Sequence, residues 1–265
     1  MQQFTVDGKA VFAATGGRPF DAALPAVVFV HGAGMDHTIW ALQTRYFAYR
    51  ERTVAAIDLP GHGRSKGPAL PSIGELGAWL GRFLEAAGVG QVSIAGHSMG
   101  ALAALECAAS LGERLRALAL LGIAPSLPVH PDLLAAAEAD DHLAFDLVTS
   151  WGHGKTGHWG GSLAPGLWLM GGGERLLERA APGVLYTDLA ACHAYAAARG
   201  LEAASEVTCP SLVLLGTEDR MTPAKAGREM AAAIPGARLT VLQDCGHMMM
   251  VEKPDQTLDA LKAVL

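Results

Sequence analysis

A serine near the middle of the sequence has the surroundings of a catalytic nucleophile. Ser98 lies within the stretch Gly-His-Ser-Met-Gly at residues 96–100, between a β-branched run that ends at Ala95 and an alanine-rich segment of helical length. The pattern G-x-S-x-G at a strand-to-helix turn lifts a hydroxyl above the edge of a sheet, and its glycines allow the tight turn. We therefore predict that Ser98 is a nucleophile.

A serine hydroxyl is a weak nucleophile, so it needs a neighbouring base, and a carboxylate must hold that base in one tautomer. His247 follows a predicted strand near the end of the sequence and is the predicted base. Asp219 follows the preceding strand and is the predicted orienting acid, with the adjacent Glu218 as the alternative. The order Ser98, Asp219, His247 is one of the known chain orders of such a triad. His97 is adjacent to Ser98, but we expect its side chain to point away from the serine.

Acyl transfer also requires hydrogen-bond donors for the negative charge that develops on the carbonyl oxygen. The backbone N–H of Met99, at the start of a predicted helix, is the first candidate. The second is the N–H of Ala33 in the glycine loop, the His-Gly-Ala-Gly stretch at residues 31–34, because glycines let the backbone approach a substrate. Further candidate substrate contacts near these groups are Gly32, Gly34, His97 and Met248.

Short apolar runs alternate with segments of helical length along most of the sequence. The runs predicted as buried strands are 27–30, 53–57, 92–95, 117–121, 212–215 and 239–242. The segments predicted as helices are 37–49, 72–87, 99–111, 223–234 and 255–265. This alternation predicts right-handed β-α-β units in a doubly wound, mostly parallel α/β sheet. The first 20 residues, interrupted at Asp7-Gly8, predict an antiparallel hairpin at the sheet edge.

Residues 125–200 interrupt the alternation. This stretch has no clean strand, and its helical pieces are at 132–139 and 174–181. Irregular insertions between the strands of a regular sheet are usually functional. We therefore predict a helical cap at 125–200, and a core formed by residues 1–124 and 201–265.

Three tryptophans, and three histidines that could suggest a metal site, fall within the predicted cap. The tryptophans are Trp151, Trp159 and Trp168. Because an inserted segment has little core of its own, we expect at least one of these rings to line an apolar substrate pocket above Ser98. The histidines are His142, His153 and His158. Their spacings match no standard metal site, so we predict no metal, and no residue pattern implies a cofactor.

The bulk composition narrows the class of partner. The chain has 265 residues, of which 51% are hydrophobic and 17% charged, and its net charge is −6. These values exclude a disordered chain and give no electrostatic reason for a nucleic-acid or anionic-membrane partner, so a small molecule is the predicted partner.

Localisation is predicted from the start of the sequence and from its cysteines. The start, MQQFTVDGKA, lacks the features of a signal peptide, and no run reaches the ~20 apolar residues of a membrane span. The four scattered cysteines are expected to be reduced thiols. We predict a cytoplasmic protein, and the sequence leaves monomer and homodimer open.

Taken together, these motifs resemble those of the α/β-hydrolase superfamily. The matching stretches, in chain order, are residues 31–34, 58–65, 96–100, 216–223 and 246–247. Members usually carry the triad acid in G-x-x-D-x-x-x-P, which matches Gly216, Asp219 and Pro223 and favours Asp219 over Glu218. The resemblance implies an α/β-hydrolase fold with a cap inserted after the sixth strand, at Leu121.

The resemblance leaves the substrate open. Our leading hypothesis is hydrolysis of a carboxylic ester through an acyl-enzyme, since a serine at position 98 disfavours relatives with an aspartate nucleophile. The alternatives are lactone hydrolysis and carbon–carbon hydrolysis of a ring-cleavage diketone, whose carboxylate the basic residues Lys155, Arg175 and Arg179 could bind. Cofactor-free perhydrolysis and a ligand-binding receptor on the same fold are further alternatives.

Overall fold

Eight strands form a single sheet in a computed structural model that describes residues 1–265. The strands are β1 (Gln2–Val6), β2 (Lys9–Ala14), β3 (Ala26–Val30), β4 (Thr53–Ile57), β5 (Val92–His97), β6 (Leu115–Leu121), β7 (Ser211–Gly216) and β8 (Arg238–Leu242). Their order in the sheet is β1-β2-β4-β3-β5-β6-β7-β8. All pairs from β4 to β8 are parallel, and β1 and β2 are antiparallel at one edge. The predicted doubly wound, mostly parallel sheet with an edge hairpin is confirmed.

Twelve α-helices accompany the strands. They are α1 (Ala41–Ala48), α2 (Ile73–Ala86), α3 (Met99–Leu111), α4 (Pro131–Glu138), α5 (Leu143–Gly152), α6 (Lys155–His158), α7 (Leu169–Leu177), α8 (Val184–Ala194), α9 (Ala197–Ser205), α10 (Ala224–Ala233), α11 (Met249–Glu252) and α12 (Pro254–Lys262). Two short 3-10 helices are found at His37–Trp40, directly before α1, and at Gly112–Arg114, directly after α3. None of these helices combines the length and the apolar character that crossing a membrane would require.

Both faces of the sheet are covered by apolar cores, which explains why its strands are continuous apolar runs. Along β3, Val28 and Val30 belong to one core, which includes residues of α2 and α3. Val27 and Phe29 belong to the other core, which includes residues of α1 and α12. Because successive side chains of a strand point to opposite faces, one five-residue strand contributes to both cores.

Local sequence explains where several elements begin. Asp7 and Gly8 both have positive φ, 51° and 73°, as the two central residues of a type I′ hairpin turn require. Ser72 caps α2, because its hydroxyl accepts a hydrogen bond from the Glu75 N–H at 3.2 Å. Pro131 occupies the first position of α4, where its fixed φ suits a helix start.

Six helices, α4 to α9, lie between β6 and β7, and we call this part of the chain the β6–β7 segment (residues 122–210). Helix α4 packs against α5 and α8, and α5 packs against α7. Helix α9 packs instead against α3 and α10, and its Ala203 and Ala204 belong to the same core as α3. The predicted boundary at residue 200 therefore falls inside a helix that packs on the sheet layer, and the division into core and cap stays a prediction.

Candidate active site

A cavity of about 870 Å³, which we call the main cavity, lies between the carboxyl ends of the parallel strands and the β6–β7 segment. Ala33, Ser98 and His247 line it from the strand ends. Trp151, Leu185 and Leu189 line it from the β6–β7 segment. Ligands of open α/β sheets bind at this edge, because the loops that follow parallel strands meet there.

Ser98 lies at the turn between β5 and α3, with φ 54° and ψ −118°. This conformation is costly for a residue with a side chain, by about 1–3 kcal/mol, and persists only where the surroundings impose it. Here the Ser98 N–H donates to the Leu121 carbonyl at 2.8 Å, which ties the turn to the end of β6. The predicted strand–turn–helix context of the serine is therefore present, and its side chain lines the main cavity.

The His247 ring is held by Asp219. Its Nδ1 atom lies 2.7 Å from Oδ2 of Asp219, and both side chains are buried. The other oxygen of Asp219, Oδ1, accepts hydrogen bonds from the backbone N–H groups of Met221 and Thr222, at 2.9 and 2.6 Å. If Nδ1 carries the proton donated to the carboxylate, Nε2 is left free to accept one. No hydrogen bond joins Nε2 to the Ser98 hydroxyl here, a bond that often forms only with substrate present.

Glu218, the alternative acid, is engaged elsewhere. Its Oε2 atom accepts a hydrogen bond from the Lys155 N–H at 2.7 Å, and Oε1 lies 3.7 Å from Nζ of the same lysine. Glu218 thus connects the end of β7 with the β6–β7 segment and makes no hydrogen bond to His247.

The two backbone N–H groups predicted to stabilise the oxyanion make no hydrogen bond within the protein. Met99 is the first residue of α3, so its N–H has no partner within the helix. The N–H of Ala33, in the glycine loop, likewise makes no backbone or side-chain hydrogen bond. Ala33 lines the main cavity together with Ser98. Two free N–H groups at this position can bind a carbonyl oxygen that becomes negatively charged.

A buried carboxylate that the sequence analysis missed supports the loop of His247. Oε2 of Glu252, in α11, accepts hydrogen bonds from the N–H groups of Gly154 and Gly246, at 2.8 and 3.1 Å. Its Oε1 atom accepts from the Met248 N–H at 3.1 Å. Two of these donors flank His247 directly. The signal in the sequence was a single acidic residue after three methionines, five positions beyond the histidine.

His97 packs against His247 and does not line the main cavity. It is fully buried, with Nε2 3.0 Å from the His247 carbonyl oxygen and a ring-centroid distance of 4.5 Å. Burial, reinforced by His247, holds the pKa of His97 well below its usual value, so the ring is neutral. The expectation that its side chain points away from the serine agrees with this placement, whereas a substrate contact does not.

The other candidate substrate contacts fall into two groups. Trp151 lines the main cavity. The remaining candidates, which do not line it, are Gly32, Gly34, Met248, Trp159 and Trp168. Trp159 and Trp168 are 83% and 70% exposed, because the helices of the β6–β7 segment leave both rings on the outer surface. Of the three rings, of which we expected at least one to line the pocket, Trp151 does so and Trp159 and Trp168 do not.

Lys155, Arg175, Arg179, His142, His153 and His158 do not line the main cavity either. Lys155, Arg175 and Arg179 form ion pairs with Glu218, Glu178 and Asp36, respectively. His153 and His158 bond to backbone carbonyls, and His142 bonds to Glu178. The structure thus supplies no cluster of these cations for a carboxylate in the main cavity.

Two groups of side chains have the spacing of metal ligands, and one of them, His142, Asp146 and Glu174, lies largely exposed on the β6–β7 segment. Asp36, His37 and Asp58 place one ligand atom each within 4.8 Å of one another. Their atoms already hold the loops together, since Oδ1 of Asp58 accepts from both N–H and Nδ1 of His37, and Oδ1 of Asp36 accepts from the Thr38 N–H. The geometry is explained by these loop contacts alone.

Comparison with known proteins agrees with this fold. Residues 27–260 match the model of the alpha/beta hydrolase family. The chain belongs to this family, and it is an enzyme of the hydrolase class.

Individual relatives give the same assignment. The chain is 29% identical over 248 residues to a pimeloyl-[acyl-carrier protein] methyl ester esterase of Aromatoleum aromaticum, covering 87% of this chain and 94% of the relative. A solved structure of a thermophilic esterase superposes with a TM-score of 0.80 at 26% identity, over 99% of this chain and 95% of the other. The enol-lactonase of Burkholderia xenovorans LB400, at 22% identity, shares the fold with a TM-score of 0.85 over 99% of this chain and 98% of the other.

Proposed function

We propose that this protein is a serine hydrolase that cleaves a carboxylic ester of a small, partly apolar substrate through an acyl-enzyme. The observation that carries the proposal is the placement of Ser98. It lies in a strained turn and lines the same cavity as His247, whose Nδ1 atom is bound by Asp219.

In the proposed mechanism, Nε2 of His247 takes the proton of the Ser98 hydroxyl as the oxygen attacks the ester carbonyl. The carbonyl oxygen becomes negatively charged and is stabilised by the N–H groups of Ala33 and Met99. His247 then donates the proton to the leaving alcohol, which leaves an acyl group on Ser98. Water, activated by the same histidine, attacks the acyl carbon, and the acid departs as Ser98 regains its proton.

The lining of the main cavity supports a substrate with an apolar portion. Leu133, Val148, Trp151 and Leu185 are among its apolar residues. Its two charged side chains, Arg220 and Glu229, are both exposed, so the charged part of the lining is open to solvent. A substrate whose apolar group enters the cavity and whose polar group stays near the opening fits this distribution.

The relatives support ester cleavage as the reaction class. The methyl ester esterase and the thermophilic esterase are named for that reaction. Lactone hydrolysis is a second candidate, because a lactone is an internal ester that the same groups would open. The basic residues Lys155, Arg175 and Arg179 are ion-paired and do not line the main cavity, so they do not favour a carbon–carbon substrate with a carboxylate.

The test compares wild type with Ser98→Ala and with a matched control, Ser126→Ala, on p-nitrophenyl esters and lactones. Ser126 lines the same cavity and makes no side-chain hydrogen bond. We expect Ser98→Ala to lose about 10⁶-fold in kcat and all labelling by a fluorophosphonate. Ser126→Ala should keep both. A Ser98→Ala protein that retained a tenth of wild-type turnover would refute the proposal.

A further inference from the structure

Asp188, on α8, is a fully buried carboxylate between the β6–β7 segment and the glycine loop. Its Oδ2 atom accepts a hydrogen bond from the Gly34 N–H at 2.8 Å and lies 2.7 Å from Nε2 of His62. Its Oδ1 atom is also buried and has no hydrogen-bond partner in the protein. A buried carboxylate with few donors keeps its charge only beside an opposite charge, so the protonation of His62 matters to it.

Both ring nitrogens of His62 face hydrogen-bond acceptors. Nδ1 lies 2.9 Å from the carbonyl oxygen of Pro60, which can only accept, and Nε2 faces Asp188. A ring that donates from both nitrogens is an imidazolium. Burial opposes this charge, but the charge and hydrogen bond of Asp188, together with the Pro60 carbonyl and the Asp58 charge, outweigh burial and raise the pKa of His62.

The other titratable groups near His62 are His31 and Asp58, and each is neutral or hydrogen-bonded to other groups. The His31 ring, 4.9 Å away between centroids, accepts the Leu59 N–H at Nε2 and is neutral, since burial and the charge of His62 lower its pKa to about 4. The Asp58 carboxylate also favours a charged His62, but its own hydrogen bonds go to the backbone of its loop and to His37. Asp188 is therefore the direct partner of His62.

Helix α8 both lines the main cavity and contacts the glycine loop. Leu185, Leu189 and Cys192, spaced by three and four residues, line the main cavity on one face of the helix. Asp188, on the adjacent position, binds Gly34, whose neighbour Ala33 carries one of the two free N–H groups. Gly34 has φ 67°, and a Cβ atom there would lie 2.9 Å from the side chain of Leu185, so the loop and the helix are in close contact.

We propose that Asp188 is a positioning residue, which acts with a protonated His62 to hold the Ala33 N–H where the oxyanion forms and to fix this position relative to the cavity wall of α8. The inference rests on the proposed function. Asp188 touches neither the substrate nor the reacting atoms; it acts through the backbone of Gly34.

The first experiment uses Asp188→Asn, with Asp146→Asn, an exposed aspartate on α5, as the matched control. In Asp188→Asn we expect kcat for p-nitrophenyl butyrate to fall 10- to 100-fold and KM to change less than threefold. The inhibition constant of phenylboronic acid, which becomes tetrahedral on a serine, should rise by the same factor as kcat falls. A folded Asp188→Asn protein with kcat within twofold of wild type would overturn the proposal, as would a loss confined to KM.

A second variant, His62→Gln, tests the pair even if Asp188→Asn does not fold. Glutamine can still donate one hydrogen bond to Asp188 but carries no charge. We expect the ratio of kcat between wild type and His62→Gln to decrease as the pH rises, because wild type alone loses a proton from position 62. A ratio that stays constant from pH 6 to pH 10 would overturn the role given to His62.

The two proposals fail in different ways. If Ser98→Ala keeps activity, the proposed function is wrong whatever Asp188 does. If Ser98→Ala is inactive and unlabelled by fluorophosphonate while Asp188→Asn reacts with the probe at the wild-type rate, only the positioning role is wrong.

Discussion

A Cβ atom placed on Gly122 would lie 2.8 Å from Cε1 of the His247 ring and 2.9 Å from its Nδ1 atom. Gly122 directly follows β6 and has φ 61°, so it packs against the histidine in a conformation that disfavours side chains. Two constraints therefore favour glycine at this position: the positive φ of the backbone and the lack of space beside the His247 ring.

We expect Gly122→Ala to lower kcat at least about 10-fold, because the added methyl group displaces His247 from its bond to Asp219. It should also destabilise the fold by about 1 kcal/mol through the positive φ. Ester turnover and urea unfolding measure the two effects. Gly236→Ala is the control, since Gly236 has φ 68° and open space around it. Equal kcat values for the two variants would contradict the expectation.

Substitution of the adjacent acids Asp219 and Glu218 should have very different effects on kcat. Asp219→Asn removes the charge that faces Nδ1 of His247 and favours the wrong tautomer, so we expect kcat to fall about 10⁴-fold. Glu218→Gln is the matched control, because the side chain of Glu218 makes polar contacts only with the N–H and ammonium groups of the exposed Lys155, and it should stay within threefold of wild type. If the larger loss occurred in Glu218→Gln, Asp219 would not be the orienting acid.

Replacement of Glu252 by glutamine should affect both stability and turnover. The carboxylate accepts three backbone hydrogen bonds, and an amide can accept with only one of its two terminal atoms. We expect a loss of about 1–3 kcal/mol in the free energy of unfolding, together with a lower kcat, since two of the donors flank His247. Glu206→Gln, at an exposed position of the chain, is the control. Unchanged unfolding in both variants would show that these bonds contribute nothing.

Two neighbouring buried histidines should influence the pH dependence of stability with opposite sign. The pKa of His31 is lowered to about 4 by burial, so an unfolded chain binds a proton there below about pH 6.5 while the folded chain does not. Folding stability therefore falls between about pH 6.5 and pH 4, by at most about 3 kcal/mol. His31→Gln should remove the part of this dependence that His31 contributes, and the part due to His97, whose pKa is also lowered, should remain in urea unfolding measured across that range.

The pKa of His62 is raised in the folded state, so the sign is reversed. Its stabilisation is complete below the unfolded value of about 6.5 and is lost as the pH rises through the folded value. His62→Gln should thus lose most stability relative to wild type in mild acid and least in alkali. Parallel pH profiles for wild type and both variants would contradict both assignments.

Among the predicted tryptophans, Trp151 alone lines the main cavity. We expect Trp151→Ala to raise kcat/KM for long-chain p-nitrophenyl esters relative to short ones several-fold, because the space left by the ring accommodates a longer acyl group. Trp159→Ala is the matched control, since this ring is exposed, and it should leave chain-length preference unchanged. An equal preference in both variants would leave Trp151 a structural residue only.

The sheet could be predicted from the sequence because its strands are short, apolar and regularly spaced. The strand 53–57 and the helix 99–111 were predicted with the bounds that the structure shows, and the hairpin followed from Asp7-Gly8. The residues now proposed as catalytic come from local patterns, each at the end of a strand. Local patterns of this kind can be identified in a single sequence, because one short stretch contains every residue that the pattern requires.

The β6–β7 segment was harder to predict. Helix α8 was missed because Asp188 is buried on the same helix as Leu185 and Leu189, which removes the contrast between a polar and an apolar face. The role of Asp188 depends on Gly34, which is 154 residues away in the chain, and one of the Glu252 bonds spans 98 residues. A periodic sequence pattern does not reveal contacts between residues so far apart in the chain. The roles of these two carboxylates could therefore be found only in the folded structure.

The hydrogen bond between Glu252 and Gly154 has a consequence for how the main cavity can open. Moving Gly154 away from α11 would leave a buried negative charge with one donor fewer, at a cost of several kcal/mol. We therefore expect Gly154, between α5 and α6, to stay attached to α11 when the cavity opens. His130, Arg220 and Glu229 are the exposed part of the cavity lining, so we expect a substrate to enter and a product to leave beside them.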